Sequence, residues 1–203
     1  MASRREHLNR MAKRFILEAC ARVVAQKGAA ATIEDIAREA DYSTGALYNY
    51  FKNKEEMLAE LFNYVAEEFQ EQVLRPMPEH YTFDQAMGFF QEEANRFASA
   101  RTPLLRTLRL DYPAVHGRVM AKECHRELDS TLMGSFQRYL SELLGRGVRE
   151  GILRPDLDTR LAALTLLGVY HTVFHHYLLG GQTLDRDLGA GITDIIMHGI
   201  RKR

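Results

Sequence analysis

Residues 32–54 read Thr-Ile-Glu-Asp-Ile-Ala-Arg-Glu-Ala-Asp-Tyr-Ser-Thr-Gly-Ala-Leu-Tyr-Asn-Tyr-Phe-Lys-Asn-Lys, a stretch with two helix-cap positions eleven residues apart. Thr32 is placed to cap a helix whose positive first turn holds Glu34 and Asp35 and whose buried stripe is Ile33, Ile36, Ala37 and Ala40. After Asp41 and Tyr42, Ser43 is placed to cap a second short helix over residues 44–50. Two short helices joined by a tight turn, the second rich in small and hydrogen-bonding side chains, suit entry into a DNA major groove. Gly45 and Ala46 let the backbone approach a duplex, while Thr44, Tyr48, Asn49 and Tyr50 offer hydroxyls, an amide and ring edges to bases or phosphates. Leu47 and Phe51 are spaced to anchor the opposite face in a core. Two packed helices with Tyr48 and Tyr50 partly buried are the plainer alternative.

Outward from this stretch the periodicity stays helical, with no clean apolar–polar alternation of the kind a half-buried strand shows. Ile16, Ala19, Cys20, Val23 and Val24 predict a first helix over residues 9–27, stopped by Gly28 in the left-handed region. Asn53, with Glu56 three residues on, predicts a reciprocal cap for a fourth helix, whose apolar face is Met57, Leu58, Leu61, Phe62, Val65 and Phe69. Lys54 opens that helix, where a cation and free backbone N–H groups would grip one phosphate. Beyond Pro76 and Pro78, helices are expected at 83–99, 103–111, 117–149, 158–179 and 185–201. The expectation is an all-α protein of about nine helices.

Composition narrows the class. The chain has 203 residues, 46% hydrophobic and 27% charged, which excludes disordered, collagen-like and disulfide-scaffold proteins. Cys20 and Cys124 form no Cys-x-x-Cys pair, and no run approaches the length of a membrane span, so a cytoplasmic protein with no membrane partner is expected. The 27 basic and 27 acidic residues cancel. Their distribution is uneven: Arg4, Arg5, Arg10, Lys13 and Arg14 face Glu6 alone within the first 14 residues, a weak pointer to nucleic acid.

Taken in order, Thr32, Ile36-Ala37, Ser43, Gly45, Leu47-Tyr48, Tyr50-Phe51 and Lys54 resemble the signature of the TetR family of transcriptional repressors. Asp41 stands where that family usually has glycine, and Asp tolerates the left-handed region at modest cost; Tyr50 stands where it usually has histidine. The resemblance implies phosphate contacts by Thr32, Tyr48, Tyr50 and Lys54, base-proximal contacts by Thr44, Gly45, Ala46 and Asn49, and Ser43 as the cap within the same DNA-binding set. It also implies a helix-turn-helix domain over 1–55 and a helical effector-binding and dimerisation domain over 56–203. The implied partners are a double-stranded, palindromic DNA operator, a small, largely hydrophobic or aromatic effector, and a second copy of the chain joined through helices near 158–179 and 185–201. No cofactor is implied.

In the second half, Leu161, Leu164, Leu167, Gly168, His171, Phe174, His175 and Leu178 form one wide stripe, and Ile192, Ile195, Ile196 and Gly199 another. Long, adjacent and terminal, these helices suit a four-helix dimer interface better than an internal core. Candidate effector walls are Phe62, Phe89, Phe90, Phe97, Leu105, Met120, Tyr170 and Phe174, with Glu93, Arg109, Glu123 and His171 as polar anchors. His171 and His175 share the i, i+4 spacing of a metal pair, but nothing nearby completes a site, and Cys124 beside His125 is read as an inert thiol. An enzyme lacks its parts here: there is no Gly-x-Ser-x-Gly elbow, Walker loop or His-Glu-x-x-His. A helical protein-interaction adaptor, the remaining class, would leave Thr44 to Lys54 without a purpose.

Overall fold

The structure is a computed structural model that describes residues 4–124, 132–180, 191 and 194; side chains 120, 122–124, 174, 175 and 177–180 are not among those described. Eight α-helices occur among the described residues, and no strand: α1 Arg4–Lys27, α2 Ile33–Glu39, α3 Thr44–Leu47, α4 Lys54–Gln72, α5 Phe83–Leu110, α6 Pro113–Cys124, α7 Leu132–Arg149 and α8 Thr159–Gly180. The all-α expectation holds. The ninth helix expected at 185–201 lies outside the described residues, apart from Gly191 and Asp194, which are both helical. No helix among the described residues is long and apolar enough to cross a membrane.

Three boundaries differ from expectation for local reasons. Helix α1 begins at Arg4, five residues earlier than its apolar stripe announces, because residues 4–8 are polar or exposed and leave no burial signal. Residues 83–110 form one helix through Pro103, not two. Proline removes a single intrahelical donor, Thr102 Oγ1 donates to the Ala98 carbonyl at 2.6 Å, and Leu104 and Leu108 just beyond are buried. The expected 117–149 helix is α6, opened by Pro113 as its first residue, and α7, with residues 125–131 outside the description.

Two compact units share the chain, Met1–Glu67 with Pro103–His125, and Glu68–Thr102 with Arg126–Arg203. The expected domain boundary at residues 55 and 56 falls inside α4. In the first unit the predicted stripe of α1 is buried, Ile16, Ala19, Cys20 and Val24 completely, together with Ile36, Ala37 and Ala40 of the α2 region and Met57, Leu58 and Leu61 of α4. In the second, α7 buries Tyr139, Leu140, Leu143 and Leu144, and α8 adds Ala163, Leu166 and Leu167.

A 3₁₀ turn, Gly28–Ala30, joins α1 to α2 and is held from far along the chain. Asp111 Oδ2 accepts from the Ala29 N–H at 3.1 Å, and the Tyr112 hydroxyl donates to the Gly28 carbonyl at 2.8 Å. The Lys54 ammonium donates to the Ala31 carbonyl and lies 5.0 Å from the centre of the Tyr112 ring. Gly28 has φ +58°, and a Cβ there would sit 2.7 Å from Asp111 Oδ2. Gly28→Ala should therefore lower the unfolding free energy by about 2–3 kcal/mol, combining about 1–2 for a left-handed alanine with a lost hydrogen bond worth about 1. Denaturant unfolding measures it, and a wild-type midpoint would reject the clamp.

Candidate nucleic-acid interface

The two short helices are too short to persist alone, so caps and packing must hold them. Thr32 Oγ1 accepts from the Asp35 N–H at 3.1 Å while Asp35 Oδ2 accepts from the Thr32 N–H at 3.2 Å, a closed capping box. Ser43 Oγ accepts from the Ala46 N–H at 3.1 Å. Asp41 takes the turn at φ +56°, the conformation expected of it. Asn53 Oδ1 does cap α4 by accepting from the Glu56 N–H at 2.8 Å, but the Glu56 carboxylate accepts from the Lys52 N–H, so the reciprocal half of that box is displaced by one residue.

Leu47 and Phe51 are 1% and 2% exposed, which fixes the face that α3 turns inward. The outward face carries Gly45, Tyr48 and Asn49, all exposed, with Thr44, Ala46 and Tyr50 half-buried beside them. Helix α3 itself ends at Leu47, and residues 48–50 continue as a turn in which the Tyr50 N–H bonds the Leu47 carbonyl at 2.9 Å. Tyr50 is steadied by an edge contact with Tyr42, ring centres 6.3 Å apart, and Tyr42 lies 6.5 Å from Phe15 of α1. Among the described residues, no atom from outside the local helix backbone and the two adjoining residues lies within 4 Å of the place a Gly45 Cβ would occupy. The protein's own packing thus makes no demand for glycine at 45, and its smallness is available to an external surface.

Ser43 spends an acceptor lone pair on its cap and keeps its hydroxyl proton, whereas the Thr32 hydroxyl is also engaged with the Asp35 carboxylate. Lys54 is half-buried, and its ammonium already serves Ala31 and Tyr112, so a phosphate would have to share it. Lys27 stands 2.6 Å from Asp35, and this bond, with those from Thr32, lowers the Asp35 carboxyl from 3.8 to about 2. Burial pushes the Cys20 thiol up to about 12, leaving it protonated.

The residues expected to bind an effector divide between the two units. In the first, Phe62 packs 5.6 Å from the His116 ring, and Leu105 and Arg109 are half-buried; the side chains of Met120 and Glu123 lie outside the description, as does that of Cys124. Burial, then the Arg109 charge, lowers the His116 pKa. In the second, Phe90 meets Tyr170 at 6.3 Å, Phe97 meets Phe69 at 5.3 Å, and Phe89 lies 4.7 Å below the Arg75 guanidinium. Glu93 is already paired, with Arg75 at 3.1 Å and Arg96 at 3.2 Å. His171 is exposed, and the Phe174 and His175 side chains lie outside the description.

Sequence reasoning missed Phe136 and Tyr139, which both lie 5.7 Å from Phe90. The Tyr139 hydroxyl is buried with no hydrogen-bond partner among the described residues, and burial pushes its pKa up to about 12. A period-3.6 reading of α7 carries the signal for both.

Comparison with known proteins bears on this geometry. The sequence model of "Bacterial regulatory proteins, tetR family" matches residues 16–61. The "Fatty acid metabolism regulator protein" of Bacillus subtilis is 23% identical over 190 residues, covering 93% of this chain and 95% of its own. The "HTH-type transcriptional repressor KstR2" of Mycolicibacterium smegmatis is 26% identical over 212 residues, covering 98% and 91%. The solved structure of FadR from Bacillus subtilis in complex with stearoyl-CoA superposes with a TM-score of 0.66 at 21% identity, over 92% of this chain and 98% of that one.

Two outcomes follow from the geometry. Gly45→Ala should leave unfolding stability unchanged or raise it by up to about 1 kcal/mol while weakening duplex binding, because the new methyl group meets only what docks there. Undiminished binding, read by fluorescence anisotropy, would take Gly45 out of the interface. Because the folded Asp35 carboxyl titrates below its ordinary value, its stabilisation is complete above pH 3.8 and is lost as pH falls through about 2. Asp35→Asn should be less stable than wild type at neutral pH, and the gap should close across that acid window; a pH-independent gap would reject the assignment.

Proposed function

We propose that this chain, which belongs to the TetR family of bacterial transcriptional regulators, is a homodimeric repressor that leaves a two-fold DNA operator when it binds a long, largely apolar effector. The observation that carries the reading is the capped helix pair whose buried face is Leu47 and Phe51 and whose outer face, Gly45, Tyr48 and Asn49, is left exposed by the described residues. On it we assign phosphate contacts to Thr32, Tyr48, Tyr50 and Lys54, and base-proximal contacts to Thr44, Ala46 and Asn49, with Gly45 allowing the approach.

Dimerisation finds support on α8. Leu161 and Leu164 are 61% and 44% exposed, and Thr165, Gly168, His171 and Thr172 continue the same exposed stripe at helical spacing. The two threonine hydroxyls donate to their own helix, Thr165 to the Leu161 carbonyl and Thr172 to the Gly168 carbonyl, both at 2.9 Å. The stripe therefore presents little unsatisfied polarity to a partner, and a second copy would bury it. A dimer setting two α3 helices in successive major grooves requires half-sites about 34–36 Å apart, hence a near-palindromic site.

An apolar effector is supported by the ring cluster Phe69, Phe90, Phe97, Phe136 and Tyr170, with the Tyr139 hydroxyl as an internal polar point. The fatty-acid regulator and the stearoyl-CoA complex among its relatives suggest a long-chain acyl thioester. Helix α4 begins beside the DNA-reading turn and ends past Glu67 in the second unit, so a tilt of it is the simplest route for the effector's signal.

Titration of stearoyl-CoA with and without bound operator tests the coupling. Operator and effector should weaken each other by one common factor, within the usual range of about 5–150-fold. Equal effector affinity in both titrations would reject it, and monomers formed on adding the thioester would replace the tilt by dissociation.

A further inference from the structure

Tyr139 of α7 supplies a phenol where the packing asks only for a ring. It is 8% exposed, and its ring lies 5.7 Å from that of Phe90, which also meets Phe136 at 5.7 Å. Phe136 continues the cluster to Phe69 at 5.2 Å, and Phe69 to Phe97 at 5.3 Å. Among the described residues the Tyr139 hydroxyl bonds nothing. Buried tyrosine hydroxyls ordinarily find a partner, and one left without it destabilises the fold. Phenylalanine would fill the same space without that cost, so folding alone does not favour the oxygen.

Burial pushes the Tyr139 pKa up to about 12 against the opposing charges of Arg75 and Arg146, with Glu93 adding to the rise. The group is therefore a neutral O–H donor throughout the physiological range. None of these three neighbours completes it. Glu93 is held by Arg75 at 3.1 Å and by Arg96 at 3.2 Å, and Arg146 donates to the Pro78 and Tyr81 carbonyls. The arginines have no acceptor to offer.

Position decides what such a donor is for. Phe136, Tyr139 and Arg146 fall within about 80° of one another around α7, and the steps between them rise about 4.5 Å and then about 10 Å along its axis. One face of the helix thus passes from a ring, through a single O–H, to a half-buried cation, with the exposed Arg75 acting on the same hydroxyl. Phe69 and Phe136 are themselves only half-buried, so the ring end of this face is open to a solute. We infer that the Tyr139 hydroxyl reads the acyl oxygen of the effector, donating to the carbonyl beside the thioester sulfur and so distinguishing an acyl chain from an alkyl chain of equal length. The inference rests on the acyl-thioester reading above and adds to it the residue that sets specificity. A donor held in dry surroundings rejects a ligand that cannot accept, because the donor then stays unpaired.

The test titrates the DNA-free full chain calorimetrically, below the micelle concentration of each lipid. Stearoyl-CoA is compared with S-octadecyl-CoA, the thioether with a methylene in place of the carbonyl, on wild type and Tyr139→Phe. Wild type should prefer the thioester by about 2–12-fold, the factor that one neutral hydrogen bond is worth. Tyr139→Phe should lose that preference by binding the thioester more weakly, with thioether affinity held. Ligand-free Tyr139→Phe should unfold at or above the wild-type denaturant midpoint, since it sheds an unpaired group. Stearate separates the two sources of an acyl oxygen: it should bind wild type more weakly than the thioester does. Tighter stearate binding that still falls in Tyr139→Phe keeps the contact and reassigns the effector to a free acid. A thioester preference that is the same in the two proteins, or a lower midpoint in Tyr139→Phe, overturns the role of Tyr139 while leaving the effector reading in place. Absence of both stearoyl-CoA and stearate binding to wild type overturns both.

Discussion

The 3₁₀ turn at residues 28–30 is the constraint on which the DNA-reading unit depends. It lies one residue from the Thr32 cap, and whatever fixes its backbone fixes where α2 starts and therefore where Ser43 and α3 point. Its bonds come from Asp111 and Tyr112, more than 80 residues away, and from Lys54. A left-handed glycine is required at that spot both by φ and by the carboxylate pressed against it. The same Lys54 that the family signature offers to a phosphate thus works inside the protein, where its ammonium holds the Ala31 carbonyl beside the Tyr112 ring.

Short helices make this dependence acute. A four-residue helix has hardly any hydrogen bonds of its own, so α3 keeps its shape through Ser43 at one end and through Leu47 and Phe51 beneath. The reading face is consequently rigid where it is buried and open where it is exposed. That division lets outer residues vary without unfolding the unit, while a change at Leu47 or Phe51 would move every outer residue together.

The parts of this fold legible in the sequence were those set by neighbours within four residues. The Thr32 and Ser43 caps, the left-handed Asp41 and the burial of Leu47 and Phe51 all follow from local spacing. Long-range pairings were not legible. Nothing near Gly28 announces Asp111, and nothing near Glu93 announces Arg75, so a residue read as an open anchor is found in an ion pair. Pro103 misled for the opposite reason: the local rule against helix before proline was outweighed by burial of Leu104 and Leu108 on the far side. On the candidate DNA interface the residues of α3 stood out by type, whereas the bond of Lys54 to the Ala31 carbonyl did not, because its partner lies 23 residues away.

The interrupted course of the first unit also bears on how the protein is made. Its chain leaves after Glu67 and returns at Pro103, bringing the two residues that grip the Gly28 turn only at positions 111 and 112. Synthesis proceeds from the N-terminus, so a ribosome that has released the whole helix-turn-helix has not yet released its clamp. A nascent chain halted at residue 67 carries both short helices but lacks the contacts that set the turn ahead of them. Closure of that turn is thereby deferred until more than half of the polypeptide has emerged.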